Sequence, residues 1–216
     1  MTSRIVFACS GADDNVAAIP RLMADYAADV VAMTLDVGQP GELHAIRQAA
    51  LAAGAVRAHV VDARDEFARC CVAASLGERG AYAPGHHVAC ALIAGKLVEI
   101  ARMENASAIA HGCTATGDDQ VRIDVSARAI DPDVQIIAPA REWGMTRAEL
   151  VAYARARNVS VPTTIVSPYS TDQNLWGRSV ECGTLDDPWN EPPDDIYTLT
   201  KSPAEAPALP AYVEIG

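Results

Sequence analysis

Short apolar runs alternate along this chain with longer stretches whose apolar positions recur every three or four residues. Arg4-Ile5-Val6-Phe7-Ala8 reads as a first strand, and Asn15 to Ala28, rich in helix formers, as the helix after it. Val30-Val31-Ala32-Met33-Thr34-Leu35 is a second strand ending in the turn Asp36-Val37-Gly38-Gln39. Pro40 and Gly41 open a helix over Glu42 to Ala53, with Leu43, Ile46, Ala50 and Leu51 on one face and Gly54 as its stop. Ala58 to Val61 is a third strand and Asp65 to Ser75 a helix. Leu76 to His87 carries Gly and Pro and reads as a loop before a long apolar helix, His87 to Asn105. Ser107 to Ala110 is a fourth strand, Asp119 to Ile130 a helix, and Val134 to Ala138 a fifth strand closed by Pro139. Thr146, with Glu149 three residues on, is the cap of a last helix to Asn158. Pro20 predicts a kink or late start in the first helix.

This order predicts an α/β protein, a doubly wound five-stranded parallel sheet with right-handed crossovers. In such sheets ligands collect beyond the carboxyl ends of the strands. Three polar, Gly-bearing stretches fall at that edge: Ser10 to Val16, Asp36 to Gln39 and His111 to Arg122. The first organises the rest. Ala8-Cys9-Ser10-Gly11-Ala12-Asp13-Asp14-Asn15-Val16 joins a strand to a helix start, where unpaired backbone N–H groups and the helix dipole favour phosphate. An ordinary βα turn needing small residues has the same composition; the convergence of three stretches favours a site. From Val159 onward, Pro162, Pro168, Pro188, Pro192, Pro193, Pro203, Pro207 and Pro210 punctuate an acidic segment. It predicts an extended Pro-rich C-terminal tail over 161–216, beside a nucleotide-binding domain over 1–160. Trp176, Trp189 and Tyr197 would anchor the tail on its own body or on a neighbour, and a homodimer or higher homo-oligomer is expected with Leu175 to Tyr197 at the contact.

Composition narrows the function. With 216 residues, 50% hydrophobic and only 5% aromatic, the chain suits one tightly packed domain plus an appendage. No apolar run reaches membrane-spanning length and Met1-Thr2-Ser3-Arg4 opens no signal peptide, so a cytoplasmic protein with no membrane partner is expected. A net charge of −11 argues against nucleic acid as a partner and leaves small-molecule substrates such as ATP. The six cysteines, Cys9, Cys70, Cys71, Cys90, Cys113 and Cys182, include no C-x-x-C pair and read as buried free thiols. His86 and His87 with Glu78 lack a further ligand at convincing spacing, so no metal site is assigned and His87 is read as a substrate contact.

The motifs also carry a resemblance. His111-Gly112-Cys113-Thr114, Asp119-Gln120-Val121-Arg122, Pro139-Ala140-Arg141-Glu142-Trp143, Pro168-Tyr169-Ser170, Asn174-Leu175-Trp176-Gly177-Arg178-Ser179 and Asp187-Pro188-Trp189-Asn190-Glu191-Pro192-Pro193 resemble the argininosuccinate synthase family, within the PP-loop ATP-pyrophosphatases. The similarity runs from Ile5 to Ile215. It implies the HUP/PP-loop fold, like that of adenine nucleotide alpha-hydrolases, and use of ATP with Mg2+. In that family ATP adenylates the ureido oxygen of citrulline, releasing pyrophosphate, and the amine of aspartate displaces AMP. By position the resemblance implies ATP contacts from Ala8, Cys9, Ser10, Gly11, Asp14, Asn15, Val16, Leu35, His111, Gly112 and Cys113. It implies substrate contacts from Thr114, Asp118, Asp119, Arg122, Ser170 and Ser179, and a catalytic set of Asp14, Asp119 and Arg122.

Departures from the pattern shape the functional reading. The family loop reads S-G-G-L-D-T-S. Here Ala12 replaces the second glycine, a strain if the turn needs positive φ there. Asn15 and Val16 replace a hydroxyl pair, though Asn15 keeps an amide to donate, and Asp13 adds negative charge. Cys90 stands at an arginine, Glu78 near a tyrosine and Asp118 at an asparagine. An aspartate at 118 would repel a substrate carboxylate, so the second substrate is read as an amine or neutral nucleophile. The resemblance places the start of the family's second domain at Tyr212 to Gly216, so the chain is read as a truncated member, with a partner protein as one replacement. The expected function is an AMP- and pyrophosphate-forming ligase acting on a pair other than citrulline and aspartate. Two alternatives stay open: an impaired homologue serving as binding module or subunit, and sulfur transfer by a site cysteine made acidic near a helix N-terminus.

Overall fold

The computed structural model describes residues 3–72, 85–113, 118–145, 147–159, 169–181 and 183–214. Strands β1 (Ser3–Ala8), β2 (Ala28–Asp36), β3 (Arg57–Asp62), β4 (Ala108–His111) and β5 (Gln135–Ile137) form one parallel sheet in the order β3-β2-β1-β4-β5. Its central strand is β1, pairing Ile5 with Val30 on one side and Ala108 on the other, and Ala8 with Met33 and His111. The strands read as continuous apolar runs because both faces are covered. Ile5, Phe7, Val30 and Ala110 face one core, closed by Val16, Ile19 and Leu22 of α1 (Asp13–Tyr26) and Ala50 of α2 (Leu43–Ala52). The alternate residues Val6, Val31, Met33 and Ile109 face a second core. It is closed by Ala94, Leu97 and Val98 of one helix, Gly85–Met103, and by Ile123 and Ala127 of another, Asp119–Ile130. The winding reverses between β1 and β4, which puts the switch point at their carboxyl ends.

Several local expectations are corrected. The first helix starts at Asp13, two residues early, and passes through Pro20 to a left-handed stop at Ala27 (φ 47°). In place of one helix from Asp65 there is a single turn, α3 (Arg64–Glu66), continued by a π-helical turn, Phe67–Val72, anchored by fully buried Phe67. The long helix, α4 (Gly85–Met103), begins inside the stretch read as loop; residues 76–84 of that stretch, with Glu78, lie outside the described residues. It is followed by α5 (Asp119–Ile130), a short α6 (Pro139–Trp143) opened by its proline, and α7 (Arg147–Arg155). The cap assigned to Thr146 lies outside the described residues. The stretch read as an extended tail contains a hairpin, β6 (Ser170–Asn174) and β7 (Gly177–Glu181), and 3-10 turns at Gly183–Asp186, Asp194–Ile196 and Pro203–Glu205.

The chain divides into two compact units, Met1–Ile165 with Asp172–Ser179, and Val166–Thr171 with Val180–Gly216. Within the first, Leu175 N–H donates to Val37 O (2.9 Å) and Trp176 packs with Leu35, Val37 and Phe67. Within the second, the Tyr169 and Thr184 hydroxyls pair at 2.9 Å and Asn190 Nδ2 donates to Thr184 O. Trp189 there is 93% exposed, so it is no packing anchor in this chain alone. No described helix is long and apolar enough to cross a membrane.

Two features hold the sheet and its loops. Glu104, just past α4, is 3% exposed and accepts hydrogen bonds from Arg4 of β1 (3.3 Å) and from Arg57 (2.7 Å) and His59 (2.8 Å) of β3. Burial pushes its carboxyl up, but the bonds from His59 and Arg57 outweigh burial and hold it below its ordinary value. At the other edge Gly11 has φ +88°, and a Cβ there would fall 2.6 Å from Ile46 Cγ1.

Glu104→Gln is expected to cost about 1–3 kcal/mol at neutral pH, read by urea unfolding. Because the folded carboxyl lies below its unfolded value of about 4.3, the contribution is present above that pH and lost as pH falls through the folded value, so the variant's deficit shrinks in acid. Gly11→Ala is expected to destabilise by about 1–3 kcal/mol, while Ala12→Gly costs less than about 1 kcal/mol.

Candidate functional site

The β1–α1 loop is tied down at both ends. Cys9 N–H donates to Met33 O and Thr34 Oγ1 donates to Cys9 O, both at 2.8 Å. Gly11 takes the left-handed turn, whereas Ala12 is the N-cap of α1 at φ −61°, ψ 150°. The expected strain at Ala12 is therefore absent, because the positive φ falls one residue earlier. The N-cap residue Ala12 supplies no side-chain cap to α1, so the helix start lacks the usual acceptor there. Asn15 is buried: its Oδ1 accepts from Ser10 N–H (3.2 Å) and Ser10 Oγ (3.3 Å), and a Cβ on Gly112 would fall 2.5 Å from its Nδ2. Its Oδ1 is thus used to hold Ser10, while its Nδ2, the donor the sequence suggested for phosphate, lies beside Gly112 at the end of β4. Asp14 Oδ1 accepts from Asn15 N–H at 3.0 Å.

Several expected nucleotide contacts turn out to be core side chains. Val16 is fully buried in the first core, and Leu35 packs beside Val37 and Phe67. His111 is 1% exposed, with Nε2 3.0 Å from Asp124 Oδ1. Burial lowers its pKa against the pull of Asp124. Arg141 donates to Asp124 Oδ2 (3.2 Å) and to Gln120 Oε1 (3.1 Å), completing a network under β4. His111 Nδ1 has no hydrogen-bond partner among the described residues, while the Leu35 side chain is taken up by packing. Ala8 and His111 pair in register, so the loop and the His111-Gly112-Cys113 stretch are brought together as expected.

The acidic part of the site lies where α4 and α5 begin. His87 Nε2 is 3.1 Å from Asp118 Oδ1 and 3.8 Å from Asp119 Oδ1. Arg122, one turn along α5, grips Asp118 Oδ2 with Nε (3.1 Å) and Nη2 (2.8 Å). Those bonds hold the Asp118 carboxyl below the usual range. Cys90 Sγ donates to Asp119 Oδ1 at 3.4 Å. Thr114 lies outside the described residues, as do Cys182 and the side chain of Ser170; Ser179 is half-buried on β7.

The thiols do not fit sulfur transfer through a resting thiolate. Burial pushes Cys9 up to about 11 and, helped by Asp119 and Asp172, Cys113 to about 12; burial and Asp119 raise Cys90 further. Sequence reasoning missed Thr34, Asp124 and Asp172. Thr34 had a signal, a lone hydroxyl in an apolar strand, and Gln120 and Asp124 stand at i,i+4 on α5; Asp172 had none. A cavity of about 480 Å³ at the opposite edge, lined in part by Ser3, Tyr26, Ser107 and Glu142, receives none of the three stretches that converge at the carboxyl edge.

Comparison with known proteins accounts for this layout. Residues 4–160 match the family model for the arginosuccinate synthase N-terminal HUP domain, and residues 169–216, most of the stretch 161–216 read as tail, match that for the C-terminal domain, so the second domain's match begins at 169 and not at the expected Tyr212. The argininosuccinate synthase of Streptococcus gordonii is 46% identical over 216 residues, covering 98% of this chain and 54% of that one. That of Brevibacillus brevis is 47% identical, covering 98% and 52%. The chain spans about half the length of the curated relatives it matches. A solved structure, the NH3-dependent NAD synthetase of Campylobacter jejuni, superposes with a TM-score of 0.48 at 9% identity, over 74% of this chain and 66% of that one. With a HUP-domain match over residues 4–160 and relatives 46% and 47% identical along nearly all of its length, this chain belongs to the argininosuccinate synthase family.

Proposed function

We propose that this chain is the nucleotide-handling part of an AMP-forming ligase of the argininosuccinate synthase type, binding ATP with Mg2+ at the β1–α1 loop. The observation that carries this is the Ser10–Asn15–Gly112 junction, which fixes the loop beside a helix start that no side chain caps. Phosphate oxygens would meet the backbone amides of the loop and helix start, the helix dipole would favour their charge, and Mg2+ would arrive with the triphosphate. Adenylation turns a poor leaving oxygen into a good one, and the protein supplies position and charge neutralisation.

The nucleophile is proposed to be an amine or a neutral group. Asp118 and Asp119 supply two carboxylates in one place, and the guanidinium of Arg122 is already engaged by Asp118, so little positive charge is left for a substrate carboxylate. Assembly as a homodimer or higher homo-oligomer, or with a partner protein, is proposed through the second unit, where Trp189, Tyr197, Leu199 and Tyr212 are exposed.

Calorimetry with MgATP is expected to give saturable binding that Ser10→Ala with Asn15→Ala weakens at least about tenfold, the equivalent of one to two lost hydrogen bonds. AMP release is expected to be faster with small amines than with aspartate when citrulline is the acceptor. A faster rate with aspartate overturns the nucleophile reading and leaves the ligase reading standing; no binding at millimolar ATP overturns both. Light scattering at high concentration is expected to report a species larger than a monomer, and Trp189→Glu to shift it toward one.

A further inference from the structure

We propose that His87, Asp118 and Asp119 form a binding site for a divalent transition-metal ion, with zinc as the representative occupant. The three side chains come from two helices, His87 from the first turn of α4, Asp118 and Asp119 from the start of α5. Each can turn one ligand atom to the same point, and these atoms lie within 4.8 Å of one another. His87 Nε2 stands 3.1 Å and 3.8 Å from the two carboxylate oxygens. A tetrahedral ion with bonds of about 2.0–2.1 Å separates its ligands by about 3.3 Å, so the His87–Asp118 pair already has the right spacing and the widest pair must close by up to about 1.5 Å, within reach of a side-chain rotation.

The surroundings hold the ligands in place. Arg122 grips the far oxygen of Asp118, Oδ2, and leaves Oδ1 toward His87. Cys90, one turn beyond His87 and buried, donates to Asp119 Oδ1. Such outer partners orient ligands. Behind them α4 and α5 share one core through Ala94, Leu97, Ile123 and Ala127.

Asp118 and Asp119 bring two carboxylates and Arg122 one guanidinium, and the partial positive charges of two helix starts, about half a unit each, offset most of the remainder, so the ligand geometry rather than net charge carries the site. The imidazole sets the class of ion: Mg2+ prefers an all-oxygen shell with several waters, whereas imidazole with carboxylates suits zinc and its neighbours. The site is therefore distinct from any Mg2+ that accompanies ATP, and it stands whether or not the β1–α1 loop binds nucleotide.

The test is calorimetry of the full chain, stripped with EDTA, against Zn2+ in the absence of nucleotide, with Co2+ absorbance as a second readout. One saturable site per chain is expected, unaffected by millimolar Mg2+, with intense visible Co2+ bands from four-coordinate geometry. His87→Ala and Asp119→Asn should each weaken binding at least about 100-fold, and Cys90→Ser about tenfold. His44→Ala, at an exposed histidine on α2, should leave it unchanged. Circular dichroism checks that each variant is folded, and Asp118→Asn, at an exposed position, replaces any that is not. Absence of a one-to-one site, or a site that survives loss of His87, overturns the proposal.

Discussion

The carboxamide of Asn15 is the contact on which the nucleotide edge depends. It is buried at the start of α1, takes two hydrogen bonds from Ser10 and presses on Gly112 at the end of β4. It therefore sits between the ends of the two strands where the winding reverses, bonded to the loop after β1 and packed beside the end of β4. It also explains two glycines with different duties. Gly11 is needed for its backbone angle, and Gly112 because any side chain there would displace Asn15.

The same reversal creates the acidic cluster. His87 and Asp118 are far apart in sequence, yet α4 and α5 cover the same face of the sheet and start at its carboxyl edge. Arg122 and Cys90 then settle how the carboxylates point. An aspartate that reads as plain repulsion in the sequence becomes, once Arg122 and His87 are placed, a group stabilised in its charged form. The cysteines change in the opposite sense, because burial beside carboxylates makes the thiols weaker acids.

The opposite edge is closed by Glu104, which joins the end of α4 to β1 and β3. A buried carboxylate with three donors resists removal of any one, since the remaining charge would lose its compensation. Both edges are thus fastened by polar contacts, the amino edge through Glu104 and the carboxyl edge through the Ser10–Asn15 bonds and the Arg122–Asp118 pair.

The sequence by itself determined the five strands, their parallel order of use and the convergence of the Ser10 and His111 stretches. Apolar runs buried on both faces and βαβ connectivity leave few other arrangements. It also determined the family, through motifs spread over nearly the whole chain. Only the tertiary structure decided the facing of individual side chains. His111 and Val16 sit inside motifs yet point into the core, since a strand end or helix start commits its backbone to the site while alternation sends the side chain elsewhere. It alone showed that the turn's positive φ falls on Gly11 and that His87 meets Asp118 and Asp119, because those facts depend on helix packing across distances that local spacing does not encode.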